Sequence, residues 1–326
     1  MNYRKFGKTN LLVSEIGFGA WGIGGPAMVG DVAIGWGDVD DSTSILALNK
    51  SFDLGINFYD TADFYGFGHS EELIGKVFGN RDDVIIASKV GHKVEDDKII
   101  LDYTKKHILK SCDESLKRLR RDKIEFYQLH SAKLDHLKNG ECIEAMEELK
   151  SKGKIRHWGI SLNTFNPYPE AEFLIEINMA DGFQLVLNII NQRSLKLIKT
   201  ASEKDYGIIA RIPLQFGLLT GKFNKETRFN KNDHRFFRLE PKFLSDLLEA
   251  LEDVLPLAEK YNVDKTTFAL SFILNHTGVS TVIPGIKNPE QAEKNTKPII
   301  SISEEDMNFI HQLFEERFNG LVDKMV

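Results

Sequence analysis

Cysteine is scarce in this chain of 326 residues, where Cys112 and Cys142 are the only two. Both stand in helix-like segments far from any CxxC spacing. They read as buried thiols in a reducing compartment, which excludes a disulfide framework and a thiolate metal site. An excess of one charge is lacking as well. The formal charge is −6, from 42 basic and 48 acidic residues spread along the chain. Without a basic block there is no footprint for nucleic acid or an anionic membrane. No apolar run approaches the roughly 20 residues that cross a bilayer. Met1-Asn2-Tyr3-Arg4-Lys5 leads into structure-forming sequence rather than a signal peptide. Linker-like and low-complexity tracts are missing too. These absences leave one soluble, cytoplasmic domain over residues 1–326, whose 42% hydrophobic content can fill a large core.

What is present is alternation. Strand-like runs at 56–59, 84–88, 124–129, 155–160, 183–187, 208–212 and 281–283 are separated by amphipathic stretches at roughly 70–78, 103–119, 140–151, 170–178, 192–204, 243–260 and 265–275. That order predicts an α/β fold with a parallel sheet. A further strand at 16–19 makes about eight and predicts a closed (β/α)8 TIM barrel, with an open doubly wound sheet as the alternative. Residues 3–17 read as an N-terminal β-hairpin turning at Gly7-Lys8-Thr9-Asn10. Another helical stretch, 43–54, ends at Gly55 as its C-cap. An extra C-terminal helix, roughly 304–318, can pack on the barrel wall or on a second copy in a homo-oligomer. The connection 217–241 is long, with Phe223, Phe229, Phe236 and Phe237 among Lys222, Arg228, Lys231, Arg235 and Arg238. It reads as a lid or clamp that orders on binding.

Gly17-Phe18-Gly19-Ala20-Trp21-Gly22 spells GxGxxG. A dinucleotide fingerprint needs a helix next, to meet the pyrophosphate, and Ile23-Gly24-Gly25-Pro26 cannot start one. The stretch reads instead as a glycine-rich strand and loop approached closely by a ligand.

Polar residues gather at the carboxyl ends of three successive strands, the rim where such barrels carry chemistry. Asp60 closes one strand and Tyr65 stands on its loop, before a helix with Ser70 as N-cap and Glu71 and Glu72 in its first turn. Lys89 ends the next strand and His130 the one after. A cation beside Tyr65 lowers the phenol's pKa, Asp60 holds that cation in place, and His130 can orient a substrate oxygen. The group suits proton delivery to a carbonyl oxygen. A lone Lys or His at such a place is usually structural, and it is the joint placement that marks a site. A divalent-metal site needs clustered His and carboxylate ligands, and His92, His107 and His130 are not placed to supply one.

Taken together, Gly55-Ile56-Asn57-Phe58-Tyr59-Asp60-Thr61-Ala62, Tyr65-Gly66, Gly68-His69-Ser70-Glu71, Lys89, His130, Gly159-Ile160-Ser161, Gln184 and Ile283-Pro284-Gly285 closely resemble the aldo-keto reductase family. The resemblance covers nearly the whole chain and lies with a bacterial branch acting on sugars or aldehydes. It implies a (β/α)8 barrel and reduction of an aldehyde or ketone by hydride from NADP(H), with NAD(H) second. It implies a tetrad of Asp60, Tyr65, Lys89 and His130, with Tyr65 the acid. Cofactor contacts carried over are Gly19, Ala20 and Trp21 in the first loop, Asp60, and Ser161 with Gln184 at the carboxamide. The pyrophosphate side would use Arg211, Pro213, Leu214, Gly217, Leu219, Gly221 and Lys222. The adenosine end would use Gly285, Lys287, Gln291 and Asn295, with Lys287 at the 2′-phosphate. Leu162 before Asn163 departs from the family's pattern. So does Arg211, where many members stack a tyrosine on the nicotinamide. Trp21, Trp36, Tyr65 and His130 form the substrate side. With the segment Asn232-Asp233-His234-Arg235 they imply a small, polar, sugar-like or sugar-nucleotide carbonyl compound. The family also includes NADP(H)-binding barrels that serve partner proteins as redox sensors with little turnover, which is the alternative reading.

Overall fold

A computed structural model describes residues 1–30, 32–35, 37, 39–231 and 233–325. Its main sheet has eight parallel strands in chain order: β1 (Phe18–Gly19), β2 (Phe58–Asp60), β3 (Ile85–Val90), β4 (Ile124–His130), β5 (Ile155–Ser161), β6 (Gly182–Val186), β7 (Gly207–Arg211) and β8 (Thr281–Val282). Parallel bridges from Ile16 to Val282 and from Gly19 to Gly285 join the first strand to the last. The backbone agrees, since Gly17 N–H donates to Val282 O at 2.8 Å and Gly19 N–H to Pro284 O at 2.9 Å. The fold is therefore the (β/α)8 barrel, and the open-sheet alternative is set aside.

Strand alternation decides what fills the barrel, because every second residue points inward. On β3 the inward series is Ile85, Ala87, Lys89, and on β4 it is Phe126, Gln128, His130. On β2 it is Phe58, Asp60, and on β7 Gly207, Ile209, Arg211. The lower layer is apolar: Phe58, Ile85, Ala87, Phe126, Ile209 and Ile283 form one buried cluster with Phe6. Phe6 comes from the N-terminal hairpin, where Tyr3–Lys5 pairs antiparallel with Leu12–Ser14, and plugs the floor. A Cβ on Gly207 would stand 2.5 Å from the Phe6 ring, so a glycine there makes room for the plug. The upper layer of the same faces is polar, and this is where the site lies.

Outward-facing residues such as Tyr59, Ile86 and Tyr127 join the large core beneath the helices. The first barrel helix, Asp41–Asp53, is capped by Asp40, which accepts from Thr43 N at 2.8 Å. Gly55 follows it with φ of 90°.

Two expectations are corrected. The stretch 243–260 is two helices, Pro241–Ala250 and Leu257–Lys260, because Pro256 lacks an N–H and disfavours helical backbone before it. Ser70 is not an N-cap. The helix His69–Phe78 starts two residues earlier than a Ser70 cap requires, behind Gly68, and Ser70 is buried against Thr61 Oγ1 at 2.8 Å and Ala20 O at 3.1 Å. Gly17 and Gly19 make room for protein. A Cβ on Gly19 would sit 2.9 Å from Ile283 O, so barrel closure is what these glycines permit.

The C-terminal helix, Glu304–Leu313, continues through Phe314–Phe318 to Val322 with Ile310, Phe318 and Val322 fully buried. It packs on the chain's own wall, where Arg193 Nη2 donates to Asn319 Oδ1 at 2.7 Å.

Candidate active site

The polar upper layer converges on one ammonium group. Lys89, with no exposed surface, donates from Nζ to Asp60 Oδ1 at 2.5 Å, to Thr61 O at 2.8 Å and to Tyr65 Oη at 3.0 Å. The other Asp60 oxygen accepts from Gln184 Nε2 at 2.7 Å and Gln128 Nε2 at 3.2 Å. Registers of the parallel strands bring these residues level, with Gln128 beside Lys89, His130 beside Ser161, and Ser161 beside Gln184.

The loop after β2 holds Tyr65 through a backbone contact only glycine permits. Gly66 has φ of 61°, and a Cβ there would lie 2.0 Å from Gly24 O. The first loop, a short 3-10 turn over Ala20–Gly24, is thereby locked against the Tyr65 loop. Trp21 lies beside the tyrosine, ring centroids 5.2 Å apart. His234 of the long connection also packs against Trp21, centroids 5.7 Å apart, and its backbone N–H donates to Gly35 O at 3.3 Å.

Burial dominates the electrostatics. It raises the Tyr65 phenol above its usual pKa, and Lys89 pulls the other way without overcoming it. The expected lowering by Lys89 is thus present as a contribution and reversed in sum, so the phenol keeps its proton at neutral pH. Burial pulls Lys89 down, but Asp60 and Tyr65 together lift it above the ordinary lysine value. His130 is held well below the usual imidazole value by burial, then by His92, Lys89 and Arg211, so its ring is neutral.

The residues expected at a cofactor divide. Gln184 is 1% exposed and gives its amide N–H to Asp60, while Ser161 Oγ reaches Gln184 Oε1 at 3.4 Å. Arg211 Nη2 donates to Leu162 O and Thr164 Oγ1, each at 3.0 Å, and its Nε is buried with no partner among the described residues. Ala20 and Leu219 have no exposed surface and Pro213 is buried too. Leu214 and Gly217 are partly buried, whereas Gly221 and Gly285 are exposed. Gln291 Oε1 accepts from Lys287 N at 2.8 Å, and Asn295 Nδ2 donates to Gly285 O at 3.4 Å, so both brace the loop after β8. The Lys287 stem lies over Gly22. The exposed Lys222 ammonium is pushed below its ordinary value by burial of part of the group, then by Arg235, Lys294 and Lys287. Lys222, Arg235, Lys294 and Lys287 thus act on one another, with Asp233 ion-paired to Arg235 among them, and the group's net positive charge suits a phosphate-rich ligand.

Trp36 and Asn232 lie outside the described residues. Among those described, no group of three His, Cys, Asp or Glu side chains could hold a metal ion, and no helix is long and apolar enough to cross a membrane. Two residues were not singled out for this site from the sequence. Gln128 was legible, two positions before His130 on the same strand face. His92 follows a strand end and lies on a loop-borne hairpin, where periodicity says nothing.

Residues 15–315 match the family model described as the Aldo/keto reductase family. The chain is 30% identical to aldo-keto reductase YhdN of Bacillus subtilis, over 99% of this chain and 96% of the relative. It is 28% identical to an NADH-specific methylglyoxal reductase of Escherichia coli, over 95% and 97%. Among solved structures, a glycerol dehydrogenase from Gluconobacter oxydans superposes with a TM-score of 0.80 at 27% identity, covering 97% of this chain and 96% of that one.

Proposed function

The chain belongs to the aldo/keto reductase family, oxidoreductases acting on carbonyl compounds, and we propose that it reduces a polar, sugar-like aldehyde or ketone with NADPH. The observation that carries this reading is Lys89, wholly buried and within hydrogen-bond distance of both Asp60 and Tyr65. Bound reduced nicotinamide would supply hydride to the carbonyl carbon. The remaining work falls to this chain's own residues. Tyr65 gives its Oη proton to the carbonyl oxygen as charge develops there. Lys89 stabilises the phenolate left behind, and Asp60 holds Lys89 charged and aimed. Neutral His130 donates an N–H to the same carbonyl oxygen and orients it towards Tyr65.

For the cofactor, Ser161 and Gln184 are the residues we assign to the carboxamide, which would exchange for part of the Gln184–Asp60 bonding. The backbone around Gly217 and Gly221 would face the phosphates with Lys222, while Lys287 would take the 2′-phosphate. The cation group supports NADPH. The Escherichia coli relative's name specifies NADH, so the preference has to come from this chain's own residues. The polar substrate is supported by Trp21 at the mouth and by the glycerol named for the Gluconobacter oxydans neighbour.

Fluorescence titration with NADPH and NADH tests the reading. NADPH is expected to bind at least about tenfold more tightly, and Lys287→Glu to abolish most of that preference, a difference of about 1.4 kcal/mol. Tighter binding of NADH would overturn the cofactor assignment. Tight NADPH binding without turnover of any aldose, keto-sugar or simple aldehyde would replace the enzyme by a redox-sensing, partner-binding barrel.

A further inference from the structure

After β3 the chain forms a hairpin, His92–Glu95 with Lys98–Leu101, that returns an imidazole to the mouth. The His92 ring meets the His130 ring edge to face, centroids 4.2 Å apart at 86°, and has Phe64 on another side at 5.2 Å. His130 also neighbours Tyr65, at 6.0 Å. The Nδ1 atoms of His92 and His130 are both buried with no hydrogen-bond partner among the described residues. These two nitrogens are enclosed, yet both residues are only half-buried, so each keeps exposed surface at the mouth. The mechanism above uses His130 and leaves His92 without a task.

We propose that His92 and His130 form a paired-imidazole subsite that reads two oxygens on neighbouring carbons, so that the preferred substrates are 2-hydroxy aldehydes and 2-hydroxy ketones. The proposal rests on the reductase reading. Tyr65 and His130 take the reacting carbonyl oxygen, and His92 takes the hydroxyl on the adjacent carbon. Contact between the rings is what allows oxygens one carbon–carbon bond apart to meet one ring each. The charge state fits as well. Burial, with help from Lys89, pushes His92 down to about 4, so its ring is neutral at physiological pH. A neutral imidazole offers one N–H and one lone pair, and a hydroxyl likewise both donates and accepts. Were His92 only a packing ring against Phe64, phenylalanine would serve equally well.

That contrast sets the experiment. Steady-state kcat/KM is measured with NADPH for lactaldehyde, propanal and 3-hydroxypropanal, using wild type, His92→Phe and His92→Asn. Lactaldehyde and propanal differ by the one hydroxyl in question, and 3-hydroxypropanal moves that hydroxyl along the chain. Wild type is expected to prefer lactaldehyde to propanal. In His92→Phe the ratio of the two is expected to fall about tenfold, as for one lost hydrogen bond to a buried partner. The ratio of 3-hydroxypropanal to propanal should fall less. His92→Asn, whose amide donates and accepts, should restore part of the lactaldehyde preference. Equal losses on all three aldehydes in both variants would make His92 a structural residue and overturn the proposal. A wild type that prefers propanal would overturn the subsite alone. A wild type that turns over none of the three, nor any sugar, would overturn the reductase reading and this proposal with it.

Discussion

Tyr65→Phe is expected to lower kcat by about 10²–10⁴-fold, the usual worth of a positioned general acid, while NADPH binding persists. Phenylalanine keeps the ring that packs on Trp21 at 5.2 Å and loses only the oxygen 3.0 Å from Lys89 Nζ. Burial raises the phenol's pKa, so the wild-type acid is loaded with its proton through the neutral range. The Lys89 ammonium becomes most useful once that proton has left, when the phenolate needs a counter-charge. Rate constants from single turnovers, beside a nucleotide titration of the same variant, check this. A variant retaining most of kcat would mean that the proton comes from elsewhere.

Lys89→Met is expected to have a second large effect, on stability as well as activity. It would leave the Asp60 carboxylate, 2% exposed, facing Gln128 and Gln184 with no cation. Removing one member of a buried ion pair destabilises by about 3–5 kcal/mol because the other charge is stranded. Chemical denaturation should show that loss as a lower midpoint at unchanged slope. Asp60→Asn added to Lys89→Met should recover part of it, since the stranded charge is gone. An unchanged midpoint in Lys89→Met would show that Asp60 is solvated or protonated in the folded protein.

How far the sequence could be read follows from what its signals measure. Strand signals are local, and they put Asp60, Lys89 and His130 at the carboxyl ends of successive strands, where the structure brings the first two into contact and His130 beside Tyr65. Strand alternation carried back two residues from His130 reaches Gln128. Pro256 marks a helix break within 243–260 by the ordinary effect of a missing N–H. Other features depend on partners far away in the chain. That Gly19 makes room for the backbone at Ile283 follows only from barrel closure. That Ser70 spends its hydroxyl on Thr61 and Ala20 depends on where the first loop lies. The balance on Tyr65 was misjudged for the same reason. A neighbouring cation is visible in a sequence, whereas the depth of burial that outweighs it is a property of the assembled mouth. The His92 hairpin returns to the site from a loop, which no pattern of two or 3.6 residues encodes.

The central claim is hydride transfer to a carbonyl carbon paired with a proton from Tyr65. It is tested most directly by supplying NADPH deuterated at both C4 positions with lactaldehyde and analysing the alcohol by mass spectrometry. One deuterium on the former carbonyl carbon, formed at a rate that Tyr65→Phe sharply reduces, is the predicted result. An alcohol without deuterium, or labelled product at an unchanged rate in Tyr65→Phe, would contradict it.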